Sequence, residues 1–319
     1  MRVGAFTALM SRMPLAGVLD KLGALGITAV ELGTGNYPGD EHCSLSLLED
    51  PHTRRSFQQL LADHRTTISA LSCHGNPLHP DPAHATHDRE VCRRTIQLAE
   101  KLGVKTVVEF SGCPGDGPRA THPNWVTCAW PPEYRELLAW QWEKVVTPYW
   151  TEHAKFAEGH GVRIAVEMHP GFVVYSPETL LRLREVAGPA VGANLDPSHL
   201  FWQGIDPVAA VRVLGDAIFH VHAKDTQMYP ANLARTGVLD TKPYSEERGR
   251  GWMFRTVGYG HGAEWWKEFV STLRIYGYDG VLSIEHEDSL LSAEEGLRKA
   301  AAFLNELVIG EQPGAAWWV

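Results

Sequence analysis

The sequence predicts an α/β protein built as a closed (β/α)8 TIM barrel, on three observations. Short β-branched runs alternate with longer helical patterns eight times along 319 residues. The strand-like runs are almost continuously apolar, as in a parallel sheet covered by helices on its outside. Four successive runs end in a carboxylate or imidazole, and a barrel places its working side chains at the C-terminal strand ends. No Gly-rich phosphate fingerprint follows the first run, which disfavours a doubly wound open sheet. A single domain over residues 1–319 is expected.

The elements follow in order. Val3–Leu9 reads as the first strand, and Leu15–Leu25 as a helix with Leu15, Val18, Leu19 and Leu22 on one face. Ile27–Leu32 is the second strand, Thr53–Asp63 the second helix, and Thr67–Cys73 the third strand. His87–Leu102 is a helix closed by Gly103, and Lys105–Phe110 is the fourth strand. A loop rich in Gly, Pro and Trp runs over about 111–132. A helical region over 133–160 follows, broken or kinked at Pro148. Val162–Glu167 is the fifth strand, and Ser176-Pro177 caps the next helix. Val191–Asp196 is the sixth strand, and Asp206-Pro207 opens a helix by the same logic. Ile218–Ala223 is the seventh strand, followed by the longest loop, about 225–262. Glu264–Tyr276, Gly280–Glu285 and Ala293–Leu307 complete the eighth pair.

Apolar residues make up 44%, enough for a sizeable core. The net charge of −9 argues against a nucleic-acid partner, which is held through Lys and Arg. No run reaches the ~18 apolar residues of a membrane span. The five cysteines show no CxxC pair and read as reduced thiols; with no signal peptide at the N-terminus, a cytoplasmic protein is expected. The apolar tail Gly314–Val319 is a candidate to dock on its own barrel or at a subunit interface.

The chemistry gathers at strand ends five to eight. Val-Arg-Ile-Ala-Val ends in Glu167, Val-Gly-Ala-Asn-Leu in Asp196, Ile-Phe-His-Val in His222, and Val-Leu-Ser-Ile in Glu285. Oxygen and imidazole donors without thiolate suit Mn²⁺, Mg²⁺, Co²⁺ or Zn²⁺. Crowded carboxylates also need a cation to stay ionised together. His199 is either a further ligand or a hydrogen-bond donor to substrate. His220 shares strand parity with His222 and points inward, and His169 falls at the mouth. Lys224 is placed to stabilise an oxyanion or to pair with Glu167 or Asp225. Glu31, His74 and Glu109 end strands two, three and four and would complete a polar ring. Arg255 could close over a sugar hydroxyl or an anion. Trp125, Trp130, Trp202 and Trp252 lie on loops, where they would stack on a sugar or aryl group or bury one another.

The segments Val-Glu-Met-His-Pro, Asn-Leu-Asp-Pro-Ser-His, His-Val-His-Ala-Lys-Asp, Ser-Ile-Glu-His-Glu and Arg-Thr-Val-Gly-Tyr-Gly together resemble the xylose isomerase-like sugar phosphate isomerase/epimerase superfamily. The resemblance covers essentially the whole chain. In its D-tagatose 3-epimerase-like members one Mn²⁺ or Co²⁺ is held by Glu, Asp, His and Glu, which match Glu167, Asp196, His222 and Glu285. It implies that the two glutamates exchange the proton beside a carbonyl, through an enediolate. It also implies substrate contacts from His199 and Arg255. Lys224, His74, Trp125 and Trp252 join the expected substrate-binding set, with Mn²⁺ as first choice of metal. The apurinic endonuclease branch is disfavoured, because the seventh loop has no Asp-x-His pair and strand four ends in Glu109. The long fourth and seventh loops look similar to C-glycoside deglycosidase large subunits. Those are lyases of 3-keto-glycosides that work with a small β-sandwich partner. That branch implies a histidine base, for which the fourth loop offers His122. The expected function is therefore a metal-dependent sugar isomerase or epimerase. The alternatives are the deglycosidase and a non-catalytic sugar-binding barrel. The expected partners are a carbohydrate and either a second copy or a small β-subunit.

Overall fold

In the computed structural model, strand β1 (Arg2–Phe6) leads through a 3₁₀ turn into helix α1 (Leu15–Ala24). Strand β2 (Ala29–Gly33), helix α2 (Pro51–Asp63), β3 (Thr67–Ser72), α3 (Pro82–Leu102) and β4 (Thr106–Phe110) follow. Helix α4 (Pro132–Trp140) runs through a π-helical turn over Gln141–Val146 into α5 (Thr147–Gly159). Next come β5 (Arg163–Glu167), α6 (Pro177–Ala187), β6 (Val191–Leu195), the short α7 (Pro197–Phe201), α8 (Pro207–Leu214) and β7 (Ile218–Ala223). A hairpin of β8 (Asp225–Met228) and β9 (Trp252–Arg255) encloses α9 (Pro230–Thr236). The chain ends with α10 (Ala263–Ile275), β10 (Val281–Ile284) and α11 (Ala293–Asn305). The structure describes residues 1–312, 314, 315 and 318. Of the apolar tail, Ala316, Trp317 and Val319 lie outside the described residues.

Eight parallel strands close into a barrel in the order β1-β10-β7-β6-β5-β4-β3-β2. This is the closed (β/α)8 barrel expected from the alternation of elements. Strand parity then sorts the side chains. On β5, Ile164 and Val166 face the helices and join the main core, while Ala165 and Glu167 face inward. On β6, Ala193 and Leu195 pack outward, leaving Asn194 and then Asp196 inside. Ala70, Val108, Ala165 and Phe219 form a separate small apolar cluster within the barrel wall. The register shifts between Val30 and Glu31 and between Ala193 and Asn194. Both irregularities lie beside residues of the site, where such shifts re-aim side chains.

Helix starts follow their caps. Asp81 accepts from the Ala83 amide, with Pro82 in the first turn of α3, so this helix begins earlier than the expected His87. Ser176 and Thr179 form a capping box on α6, and Asp206 caps α8. The expected break at Pro148 is instead a π-helical turn immediately before it. The widened turn lets the helix continue past a residue that has no N–H to donate. The loop over 225–262 carries a hairpin and a short helix that its sequence pattern does not announce. No helix among the described residues is long and apolar enough to cross a membrane.

Candidate active site and metal centre

Glu167, Asp196, His222 and Glu285 converge at the C-terminal mouth, each offering a donor atom, and these atoms lie within 4.8 Å of one another. The strand ends bring them there from four neighbouring strands: β5, β6, β7 and β10. Beneath them lies a buried polar layer. Glu31, inward on β2, accepts from His222 Nε2 at 3.0 and 3.1 Å and from His220 Nε2 at 2.9 Å. Ser283 donates to the same carboxylate at 2.7 Å, and Ser72 does so from the other side. Burial alone would raise the Glu31 carboxyl, but His222 and His220 hold it well below the usual carboxylate range. His222 Nε2 donates to Glu31, which turns Nδ1 toward the mouth, 3.2 Å from Glu167 Oε2 and 3.0 Å from Glu285 Oε2. Burial opposes its charge, but Glu31, Glu285 and Glu167 raise His222 well above the ordinary imidazole value.

Glu167 Oε2 accepts from His74 Nε2 and Asn194 Nδ2, both at 2.9 Å. Its Oε1 lies 3.2 Å from His199 Nε2. Burial opposes ionisation of Glu167, yet the charge of His222 and the close contacts of His199, His222 and His74 hold its carboxyl well below the ordinary value. Burial pushes Asp196 up, against the opposing charges of Lys224 and His199. Desolvation opposes ionisation of the partly buried Glu285 as well, but Lys224 and His222 bring it down to about 2. Burial drives His169 down to about 3, with the charge of His199 adding to it.

A divalent cation fits this donor set. His222 Nδ1, Asp196 Oδ2 and Glu285 Oε2 are buried and have no hydrogen-bond partner. Such orphaned atoms are costly unless something binds them. Three carboxylates, of Glu167, Asp196 and the partly buried Glu285, and the His222 Nδ1 gathered at one point make a cation the matching occupant. Glu31 behind His222 is the carboxylate that typically backs a metal-bound histidine.

The cluster opens into a cleft of about 330 Å³. Phe6, Tyr37, Pro38 and Phe110 make its apolar wall, and His74, His169, His199 and Lys224 face them. A larger hollow of about 460 Å³ lies outside the barrel between α1 and α11, but its lining is largely apolar and holds none of the clustered donors. The cleft is therefore the candidate site.

The structure brings His199, Lys224 and His74 into the cleft with the four donors. It leaves the other expected site residues elsewhere. Arg255 lies in the hairpin with its Nε 3.1 Å from Asp288 and its guanidinium over Tyr259, and it is not part of the cleft lining. Its loop is pinned instead by Asp225, which accepts from the amides of Gly258, Gly260 and His261 at 3.1, 3.1 and 2.9 Å. Trp252 is buried against Trp202, with rings nearly parallel and centroids 4.6 Å apart. Trp125 packs edge-on against Tyr175, and Trp130 is exposed. His122 is exposed on the fourth loop, bonded to Thr121 and facing a separate surface hollow. Glu109 points outward and takes both its contacts from His153 of α5, so it is not part of the polar ring.

Sequence reasoning overlooked Phe6, Tyr37, Phe110, Asn194 and Glu287. Parity could have found one of them, because Asn194 lies two residues before Asp196 on the inner face of β6.

The description "xylose isomerase-like TIM barrel" belongs to the family whose model matches residues 19–307. An uncharacterised protein of Bacillus subtilis (strain 168), YfiH, is 41% identical over 312 residues, covering 97% of this chain and 99% of that one. The solved IolI protein with a bound zinc atom superposes with a TM-score of 0.65 at 20% identity, over 97% of this chain and 98% of that chain. A D-tagatose 3-epimerase-like protein gives 0.62 at 21% identity, over 96% and 98%. At these identities the two solved structures speak for the fold.

Proposed function

This chain belongs to the xylose isomerase-like TIM-barrel family, and from that premise we propose that it is a divalent-metal-dependent isomerase or epimerase of a keto-sugar or sugar derivative. The reaction is proton removal beside a carbonyl. The observation that carries this reading is the convergence of His222 Nδ1, Asp196 Oδ2 and Glu285 Oε2, buried and without hydrogen-bond partners, at the open end of a small cleft. Sugar epimerases among the solved neighbours support the substrate class.

Glu167, Asp196, His222 and Glu285 would hold the cation, with Mn²⁺ the first choice for a site of oxygen and imidazole donors. Once bound it supplies a Lewis acid for the carbonyl and its neighbouring hydroxyl. The chain's own residues do the rest. Glu167 and Glu285 stand on β5 and after β10, with β6 and β7 between them, so they flank a substrate laid across the mouth. One takes the proton on a carboxylate oxygen and the other returns it on the opposite face. His74 and Asn194 fix the Glu167 carboxylate by holding Oε2, which leaves Oε1 for the proton. His199 Nε2, which has no hydrogen-bond partner, is placed to donate to a substrate hydroxyl. Phe6, Phe110 and Tyr37 keep water from the apolar face of the ring or chain. Lys224 is already shared among carboxylates, so the cleft suits an unphosphorylated substrate.

The test is a panel of free ketoses, a keto-cyclitol and a 3-keto-glucoside, offered to metal-stripped and Mn²⁺-loaded protein. A new epimer or isomer formed only by the loaded protein supports the reading. Release of an aglycone from the 3-keto-glucoside assigns the chain to elimination instead. A loaded protein that turns over none of them contradicts it.

A further inference from the structure

Lys224 sits at the edge of the donor cluster and is almost wholly buried. Its Nζ is 3.2 Å from Asp196 Oδ2 and 2.9 Å from Glu285 Oε2. Those are two of the atoms that lack a hydrogen-bond partner. The ammonium aims its hydrogen bond elsewhere, at Glu287 Oε2, 3.0 Å away. Glu287 is half exposed on the cleft rim. The Phe254 ring, 4.7 Å from Nζ, closes the remaining side. The charge of Lys224 thus serves Asp196 and Glu285 while its N–H geometry leaves their lone pairs open.

We propose that Lys224 is a built-in counter-ion of the metal centre. It neutralises Asp196 and Glu285 before a divalent cation arrives, and its ammonium is drawn onto Glu287 when the cation takes those two oxygens. This deepens the reading given above and rests on it. The physical ground is electrostatic. Three carboxylates gathered at the barrel mouth, two of them buried, destabilise a metal-free chain unless a positive charge stands among them. The same charge, a few ångströms from the oxygens that ligate, opposes a divalent cation. Among the described residues, Glu287 is the only carboxylate in direct contact with Lys224 that does not belong to the donor quartet. Its exposed position lets the ammonium move outward without leaving a bare charge in the barrel. Lys224 therefore sets a metal affinity weaker than four such donors would otherwise give, and keeps the empty centre assembled.

Lys224→Met, Lys224→Arg and Glu287→Gln should be compared with the parent by calorimetric Mn²⁺ titration and by melting of the metal-stripped chains. Lys224→Met is expected to bind one Mn²⁺ at least about tenfold more tightly, and to melt lower than the parent when stripped. Lys224→Arg, which keeps the charge, should stay within a few-fold of the parent in affinity. Glu287→Gln should bind Mn²⁺ a few-fold more weakly, because the ammonium loses its outward acceptor. A folded Lys224→Met whose Mn²⁺ affinity is unchanged or weaker overturns the proposal and leaves the metal-dependent reading standing. A parent chain that binds no divalent cation removes both.

Discussion

Glu31 and His222 are 191 positions apart in the chain, and the Glu31 carboxylate holds the His222 Nε2 at 3.0 and 3.1 Å. This contact decides which nitrogen of His222 faces Glu167 and Glu285. It turns four strand-end side chains into a donor set in which His222 presents Nδ1.

Replacing Glu31 with Gln should weaken divalent-metal binding about 10- to 100-fold. The amide offers one acceptor where two histidines and two serines now converge. Competition with a fluorescent chelator reads the change, and far-ultraviolet circular dichroism checks that the barrel persists. An unaltered affinity would mean that the buried layer does not orient His222.

Glu285→Gln should keep the fold and lose turnover by orders of magnitude, with a smaller effect on substrate affinity. Glu285 lines the cleft and its carboxyl is held down at about 2, so it is ionised throughout the useful pH range. A sugar-binding barrel without chemistry would instead keep its ligand affinity and have no turnover to lose. Ligand titration beside an activity assay separates the two.

Trp252→Ala should destabilise the chain by about 3 kcal/mol, the usual cost of emptying a buried tryptophan site. The indole is 3% exposed, stacks on Trp202 and donates from Nε1 to the Val238 carbonyl at 2.9 Å. Denaturant unfolding reads the loss. If stability is unchanged while substrate affinity falls, the ring serves the cleft and not the hairpin.

Asp240 fastens the long loop by accepting from the Gly251 amide at 3.0 Å and the Lys242 amide at 3.1 Å, with Lys242 Nζ at 2.7 Å. Burial opposes this, but Lys242 and the two amides bring its carboxyl down to about 2. A depressed folded-state value means the stabilisation is complete above the unfolded value, ~3.9, and is lost as the pH falls through about 2. The protection of the Gly251 amide, read from its exchange rate relative to that of an unfolded chain at the same pH, should therefore fall below pH ~4. In Asp240→Asn that exchange should be faster at neutral pH and show no such acid step.

The barrel was legible because its signals are local. Apolar runs, proline-capped helix starts and donors at strand ends all lie within a few residues of one another. Asp225–Met228 escaped notice because four mostly polar residues carry no alternation, and their strand character comes from pairing with Trp252–Arg255. Arg255 and Trp252 looked available on a loop, yet Asp288 and Trp202, which engage them, come from other segments of the chain. Glu31 read as one member of a ring, since nothing near it in sequence announces His220 and His222. Glu109 stands one residue before the end of its strand, where Glu167 is the last of its own, and that step of parity sends it outward to His153. Strand ends are readable from sequence; the partners that the fold delivers across the barrel are not.

Solvent-deuterium exchange tests the central claim most directly. Keto-sugars incubated in D₂O with the metal-loaded chain should gain deuterium at the carbon beside the carbonyl, as read by mass spectrometry. That uptake should vanish on chelation and in Glu285→Gln. A chain that holds its divalent cation yet exchanges no such hydrogen, or exchanges it equally well after chelation, would contradict the account.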